Sequence, residues 1–213
     1  MVRKKIFLLS IILTLLVFGI AQEQNSLYDE FIKPGAESKA YGRALTAYNG
    51  NIIALFYNPA NIAFLTEDIE LYMAVQNSRY IKDIKNITLV AGSGLLRRHS
   101  LYTAVGWRQL NYNNAFDHQD NENIISLGSA YSFKKFAIGL TPKLFISRIN
   151  SSQLKTTGKG FGLDIGLSFR YKKLLLGLSA LNIISLIKFD TSNEQSTKPV
   201  LNMGASYQIG ERG

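Results

Sequence analysis

From residue 68 to the C-terminus, hydrophobic and small or polar residues alternate with a period of two. In Lys159 to Tyr171, Phe161, Leu163, Ile165, Leu167 and Phe169 fall on one parity. Gly160, Gly162, Asp164, Gly166, Ser168 and Arg170 fall on the other. A strand sends those two sets to opposite sides of a sheet. The contrast recurs in Phe136 to Ile149, where Phe136, Ile138, Leu140, Pro142, Leu144 and Ile146 oppose Ala137, Gly139, Thr141, Lys143, Phe145 and Ser147. It recurs again in Ile125 to Phe133, in Leu201 to Ile209 and, less cleanly, in Leu101 to Tyr112. The pattern predicts eight strands, at 68–79, 86–96, 100–112, 123–133, 136–149, 159–171, 174–188 and 199–209. The seventh slips parity near Ala180 and Asn182, which predicts a bulge.

The connections alternate in length. Arg97-Arg98-His99, Lys134-Lys135 and Lys172-Lys173 are short turns, whereas 111–122, 150–158 and 190–198 are long and polar. Aromatic residues flank the short turns: Phe133 and Phe136, then Phe169 and Tyr171. Long strands, alternating connection lengths and an aromatic girdle predict an all-β fold, an antiparallel transmembrane β-barrel. The alternative is a secreted or periplasmic β-sandwich that binds a ligand, which also shows alternating strands. Against it stand segments longer than the usual five or so residues and a second face rich in glycine and serine rather than Lys, Glu and Thr.

The N-terminus reads as an address. Met-Val-Arg-Lys-Lys precedes an apolar run, Ile6 to Ile20, and Gly19-Ile20-Ala21 places small residues before Gln22. That layout predicts a signal peptide over 1–21, too short to span a membrane comfortably. With no acid in that stretch, loss of Arg3, Lys4 and Lys5 takes the formal charge from +9 to +6. An exported, mildly basic chain makes nucleic acid an improbable partner. The absence of cysteine excludes a disulfide scaffold, thiolate chemistry and a lipoprotein anchor.

Residues 22–67 do not alternate and are expected to form a plug or periplasmic segment. Ala36 to Tyr48 has helical spacing. Asn58 before Pro59 is a helix start, with asparagine as cap and proline at the first helical position.

Here the residues resemble a family. Gly42-Arg43-Ala44-Leu45 followed by Ala54-Leu55-Phe56-Tyr57-Asn58-Pro59-Ala60 is similar to the N-terminal signature of the PorV/PorQ group, relatives of the FadL-type outer-membrane barrels. Gly162-Leu163-Asp164-Ile165-Gly166-Leu167, Leu176-Gly177-Leu178 with Leu181-Asn182, and Pro199-Val200-Leu201-Asn202-Met203-Gly204 follow in that family's order. The resemblance covers most of the mature chain, with Asn58, Pro59 and Ala60 as its plug motif. It implies the cell outer membrane of a Gram-negative-type bacterium and a barrel of about fourteen strands with the N-terminal segment in the lumen. It also implies a role in type IX secretion or in transport of hydrophobic molecules. Expected partners are outer-membrane lipid, secretion-system components or secreted proteins, and hydrophobic small molecules.

Two departures stand out. Tyr48-Asn49-Gly50-Asn51 lacks the acidic pair that the family carries between the two N-terminal motifs. Only eight strands are expected, without a terminal strand ending in an aromatic. An interior of eight strands is just wide enough for side chains and leaves no room for residues 22–67. The chain is therefore expected to be a piece of a larger barrel; a small barrel complete at eight strands is the competing expectation.

Chemistry is sparse, and no enzyme activity, cofactor or metal is expected. Asp117-His118-Gln119-Asp120 is better read as a solvated loop than as a metal site. Ser132-Phe133-Lys134-Lys135 has Ser-x-x-Lys spacing, which needs a helical turn and here straddles a hairpin. The candidate functional residues are charges on the small-residue face: Arg108, Lys143, Asp164 and Arg170. Facing lipid, each basic one would cost ~2–4 kcal/mol near the midplane, so they are expected to face the lumen. There they could tune selectivity, hold the plug, or pair with one another.

Overall fold

The computed structural model describes residues 40–41, 44–48, 51–65, 67, 69–78, 84–93, 100–114, 118–152, 154–191 and 194–209. The signal peptide expected over 1–21 lies outside these. Of the helix expected over Ala36–Tyr48, the described portion beyond Ala40 is turn and irregular backbone, with the Tyr48 N–H donating to the Leu45 carbonyl at 3.1 Å.

The period-two segments form nine strands: β1 (Ile69–Ser78), β2 (Ile84–Ser93), β3 (Leu101–Asn114), β4 (His118–Phe133), β5 (Phe136–Asn150), β6 (Lys155–Tyr171), β7 (Leu174–Phe189), β8 (Glu194–Gln195) and β9 (Val200–Tyr207). All belong to one antiparallel sheet in which sequence neighbours are spatial neighbours. β8 and β9 lie in line along the same side of β7 and together occupy the eighth position. Among the described residues, no ladder joins β1 to β9. The fold is therefore all-β, a meander in a single sheet.

Tight turns set the register. Phe133 faces Phe136 across Lys134-Lys135, and Tyr171 faces Leu174 across Lys172-Lys173. Lys134 and Lys172 adopt left-handed φ values of 54° and 53°, as two-residue hairpins require. The expected parity slip in β7 is a bulge. Leu163 pairs with Ile184 but Ile165 pairs with Ala180, so β7 carries two extra residues. Because the insertion is even, Ser179 before it and Ser185 after it are buried on the same face.

Residues 44–48 and 51–65 form an inner segment against this sheet. It contains two 3-10 helices, Ile52–Phe56 and Pro59–Phe64. Asn51 caps the first, its side chain accepting from the Ile53 N–H, and Asn58 caps the second by accepting from the Ala60 N–H. Proline explains the break: Pro59 holds Asn58 extended, at ψ 101°, so the first helix ends with Tyr57 as its cap.

The segment also measures how strongly the sheet curls. Ile52 donates its backbone N–H to Glu70 on β1 at 2.9 Å, and the Asn58 amide donates to Ser168 on β6 at 3.0 Å. Five strand spacings cover about 24 Å on a flat sheet. Six residues of 3-10 rise cover about 12 Å. The segment is a chord, and the sheet bends around it.

Large apolar side chains are found both in the core and on the outer face. The most buried large side chains include Leu45, Ile52, Ile53, Leu55 and Ile62, all in the inner segment. The outer face of the sheet exposes Leu71, Met73, Val105, Phe133, Phe136, Leu144, Phe161 and Met203. The inner face is small. A Cβ on Gly139 would overlap the Pro59–Ala60 peptide, one on Gly166 the Asn58 side chain, and one on Gly177 the Thr46 carbonyl.

That overlap predicts the effect of one methyl group. Gly139→Ala should lower stability by about 1–3 kcal/mol, because the atoms it meets are backbone and cannot rotate away. Ser129→Ala on the outer face should stay within about 0.5 kcal/mol. Urea unfolding followed by fluorescence of Trp107, the single tryptophan, reads both.

Candidate functional site

The concave face is organised in three tiers, two polar and one apolar. The tier nearest the short turns holds the inner segment. In a 3-10 helix, residues three apart eclipse, so Asn58 and Asn61 project to one side. The Asn58 amide donates to the Thr46 carbonyl (2.9 Å), the Ser168 hydroxyl (3.0 Å) and the Leu167 carbonyl (3.2 Å). Asn61 donates to the same Thr46 carbonyl at 2.9 Å. Ser168 in turn donates to Asn61 Oδ1 at 2.6 Å. On β7, the Ser179 hydroxyl donates to the Tyr57 carbonyl at 2.7 Å.

Asn58, Asn61, Ser168 and Ser179 are all at most 5% exposed. Buried amides and carbonyls are expensive unless paired, so this network both holds the segment and specifies its position. Leu55, Ile62 and Ala60 fill the spaces between, packed with Ala104, Ala130 and Ala137. Arg108 on β3 lies 5.7 Å from the Phe56 ring centroid, and Arg170 on β6 lies 4.4 Å from that of Phe64. Both guanidiniums face rings of the inner segment, a geometry that favours attraction to the ring face.

A charged tier lies beyond. Lys143 on β5 and Asp164 on β6 form an ion pair of 2.6 Å, with side chains 11% and 6% exposed. Asp164 also accepts the backbone N–H of Asn182 at 2.7 Å, and Lys143 donates to the Asn182 side chain. Asn182 sits at φ 55° inside the β7 bulge. The bulge thus turns a backbone donor and a side-chain acceptor toward the pair. Removing one partner of such a buried pair typically costs about 3–5 kcal/mol.

The third tier is apolar: Ile124, Phe145, Ile187 and Phe189, with Ile149 against them. Gly158 and Gly162 make room here for Phe189 and Phe145.

The sequence-derived candidates therefore share one face but do not form one cluster. Lys143 and Asp164 pair with each other. Arg108 and Arg170 lie apart from them, each against an aromatic ring of the inner segment. Asn58, Pro59 and Ala60 are fully buried at the centre of that segment. The polar partners Asn61, Ser168 and Ser179 were not singled out from sequence, although the Asn-x-x-Asn spacing was a signal once 3-10 geometry is allowed.

On the small-residue face of β6, a Cβ on Gly160 would strike the β7 backbone, and Ser168 bonds Asn58 and Asn61. Ser132 lies at the end of β4 and Lys135 in the following turn, so no helical turn brings them together. Asp117 and the His118 side chain lie outside the described residues. No cluster of three or more His, Cys, Asp or Glu suited to a metal occurs among the described ones.

Replacing Asn58 separates its two roles. Asn58→Asp keeps the cap oxygen but loses the donors to Thr46, Leu167 and Ser168. It should destabilise at least as much as Asn58→Ala, each by about 2–4 kcal/mol from the lost cap and hydrogen bonds. Denaturation midpoints of the two variants test this; near-parental stability of Asn58→Asp would show that capping alone matters.

No protein-family model, no curated protein and no solved structure matches the chain.

Proposed function

We propose that the chain is an outer-membrane β-sheet protein of PorV/PorQ type, with its outer face against lipid and residues 44–65 as a fixed plug. In this reading it is not an enzyme. Its role is that of a secretion accessory or of a passage for hydrophobic molecules, and a plug held by a buried hydrogen-bond network favours the accessory role.

One observation carries the reading. On β5 the outward residues from Phe136 to Ile146 are uncharged, and on β6 those from Phe161 to Tyr171 are uncharged. Each stripe is eleven residues long, or about 25 Å high at a strand tilt of ~45°. That equals the apolar band of a transmembrane barrel. The stripe ends level across neighbouring strands, because Asn123 pairs with Ile146, Ile146 with Lys159, and Lys159 with Lys188. At the other end stand the turn lysines and exposed Phe133, Phe136 and Tyr171. Phe136 and Phe169 pack at 4.8 Å.

A β-sandwich would hide these side chains beneath a second sheet. Among the described residues there is one sheet, and its covered face is the small-residue one. The resemblance of Asn58-Pro59-Ala60 and the strand motifs to the PorV/PorQ group supports the assignment to that group.

The test is Leu163→Arg, Ile165→Arg and Leu167→Arg together. At ~2–4 kcal/mol for each arginine near the midplane, the triple variant should fail to enter the outer-membrane fraction, while the parent should resist alkaline extraction. Release of the parent by alkali would favour the secreted sandwich.

A further inference from the structure

The short-turn end carries a charged patch that the plug does not use. Two hairpin turns, Lys134-Lys135 and Lys172-Lys173, place four exposed lysines at the rim of the apolar stripe. The turns are tied to neighbouring strands: the Arg170 N–H donates to the Lys135 carbonyl at 2.7 Å and the Gln208 N–H to the Lys173 carbonyl at 2.9 Å. Their ammonium groups are placed with respect to the aromatic rim. Lys135 Nζ lies 4.3 Å and Lys172 Nζ 5.7 Å from the Tyr171 ring centroid, so one exposed ring is approached from two different turns. Lys134 Nζ lies 5.2 Å from the Phe133 ring.

Among the described residues, no carboxylate pairs with the two like charges around this ring. Among the described residues, no ion pair involves Lys134, Lys135 or Lys172. Among the described residues, the exposed acid at this end is Glu67, which precedes β1 and is separated from the nearer lysine turn by β2 and β3. The combination of concentrated positive charge, an exposed aromatic rim and the edge of an apolar stripe selects a partner that is anionic at its head and apolar below. We propose that Lys134, Lys135 and Lys172 form a docking surface for the phosphate headgroups of anionic phospholipids in the leaflet at the short-turn end. The proposal rests on the membrane reading above. The headgroup phosphate meets the ammonium groups, and the acyl chains lie along Phe133, Phe136 and Tyr171. Attraction of lysines to an anionic leaflet is worth about fivefold in occupancy for each side chain near the surface.

The experiment places a reporter at the rim. Tyr171→Trp, combined with Trp107→Phe, gives the full chain a single tryptophan beside the lysines. The protein is reconstituted into vesicles of phosphatidylcholine mixed with brominated phosphatidylglycerol, or with brominated phosphatidylcholine as the control. Bromine quenches only tryptophan that touches acyl chains. The expected result is quenching by both lipids, with the anionic one favoured about fivefold or more. That preference should fall to parity in Lys134→Gln/Lys135→Gln/Lys172→Gln. It should also fall to parity at about 1 M salt, where the screening length is ~3 Å, a control that needs no lysine variant. Equal quenching by the two lipids in the parent would overturn the docking surface and leave the membrane reading standing. An anionic preference that survives in the lysine variant would overturn the residue assignment. Quenching by neither lipid would overturn the membrane reading itself.

Discussion

The structure depends on how closely a backbone can approach a sheet. Residues 58–60 lie directly on β5 and β6, and Thr46 on β7, so the strands beneath must lack side chains at Gly139, Gly166 and Gly177. Without Cβ atoms there, the Asn58 amide reaches the Leu167 carbonyl and the Ser168 hydroxyl. With them, the segment would lift off by about one side-chain layer, and its amides would lose partners at a net ~1 kcal/mol each. The curl of the sheet follows from the same contact, since Ile52 must reach β1 while Asn58 reaches β6.

Filling the inner face in this way leaves the outer face to carry the large apolar residues. The sheet cannot bury them against its own interior, because that space is occupied by Leu45, Ile53, Leu55 and Ile62. Under the proposed membrane placement, those exposed apolar residues would meet lipid rather than water. The lysine rims, the uncharged stripe and the buried Lys143–Asp164 pair are three consequences of one partition, with charge held at the two ends and inside.

Much of the fold was legible in the sequence because strand parity is a strict code. Phe161, Leu163, Ile165, Leu167 and Phe169 sort by position alone, and the two-lysine turns fix the register of β4 with β5 and of β6 with β7. The bulge was legible as a parity slip at Ala180 and Asn182. Its purpose was not, because a left-handed Asn182 donating to Asp164 is a three-dimensional event. The inward charges could be found from the cost of facing lipid, but their partners could not. Arg108 and Arg170 meet phenylalanines more than fifty and a hundred positions away, and sequence spacing carries no information at that range. The expectation of too little room for a plug assumed a closed ring of eight strands. Among the described residues the sheet wraps residues 44–65 with no β1–β9 ladder, so the volume limit of a closed eight-stranded ring does not apply to it.

The central claim is that the two faces of the sheet meet different media, and β6 offers a direct reading. The chain has no cysteine, so single cysteines at successive positions from 161 to 171 can each carry a nitroxide spin label without a background. Accessibility of each label to oxygen, which concentrates in lipid, is compared with accessibility to a water-soluble nickel complex in reconstituted vesicles. The account predicts that odd positions see oxygen, that even positions see little of either, and that the pattern repeats every two residues. Odd positions that see the nickel complex as readily as an exposed loop does would contradict it.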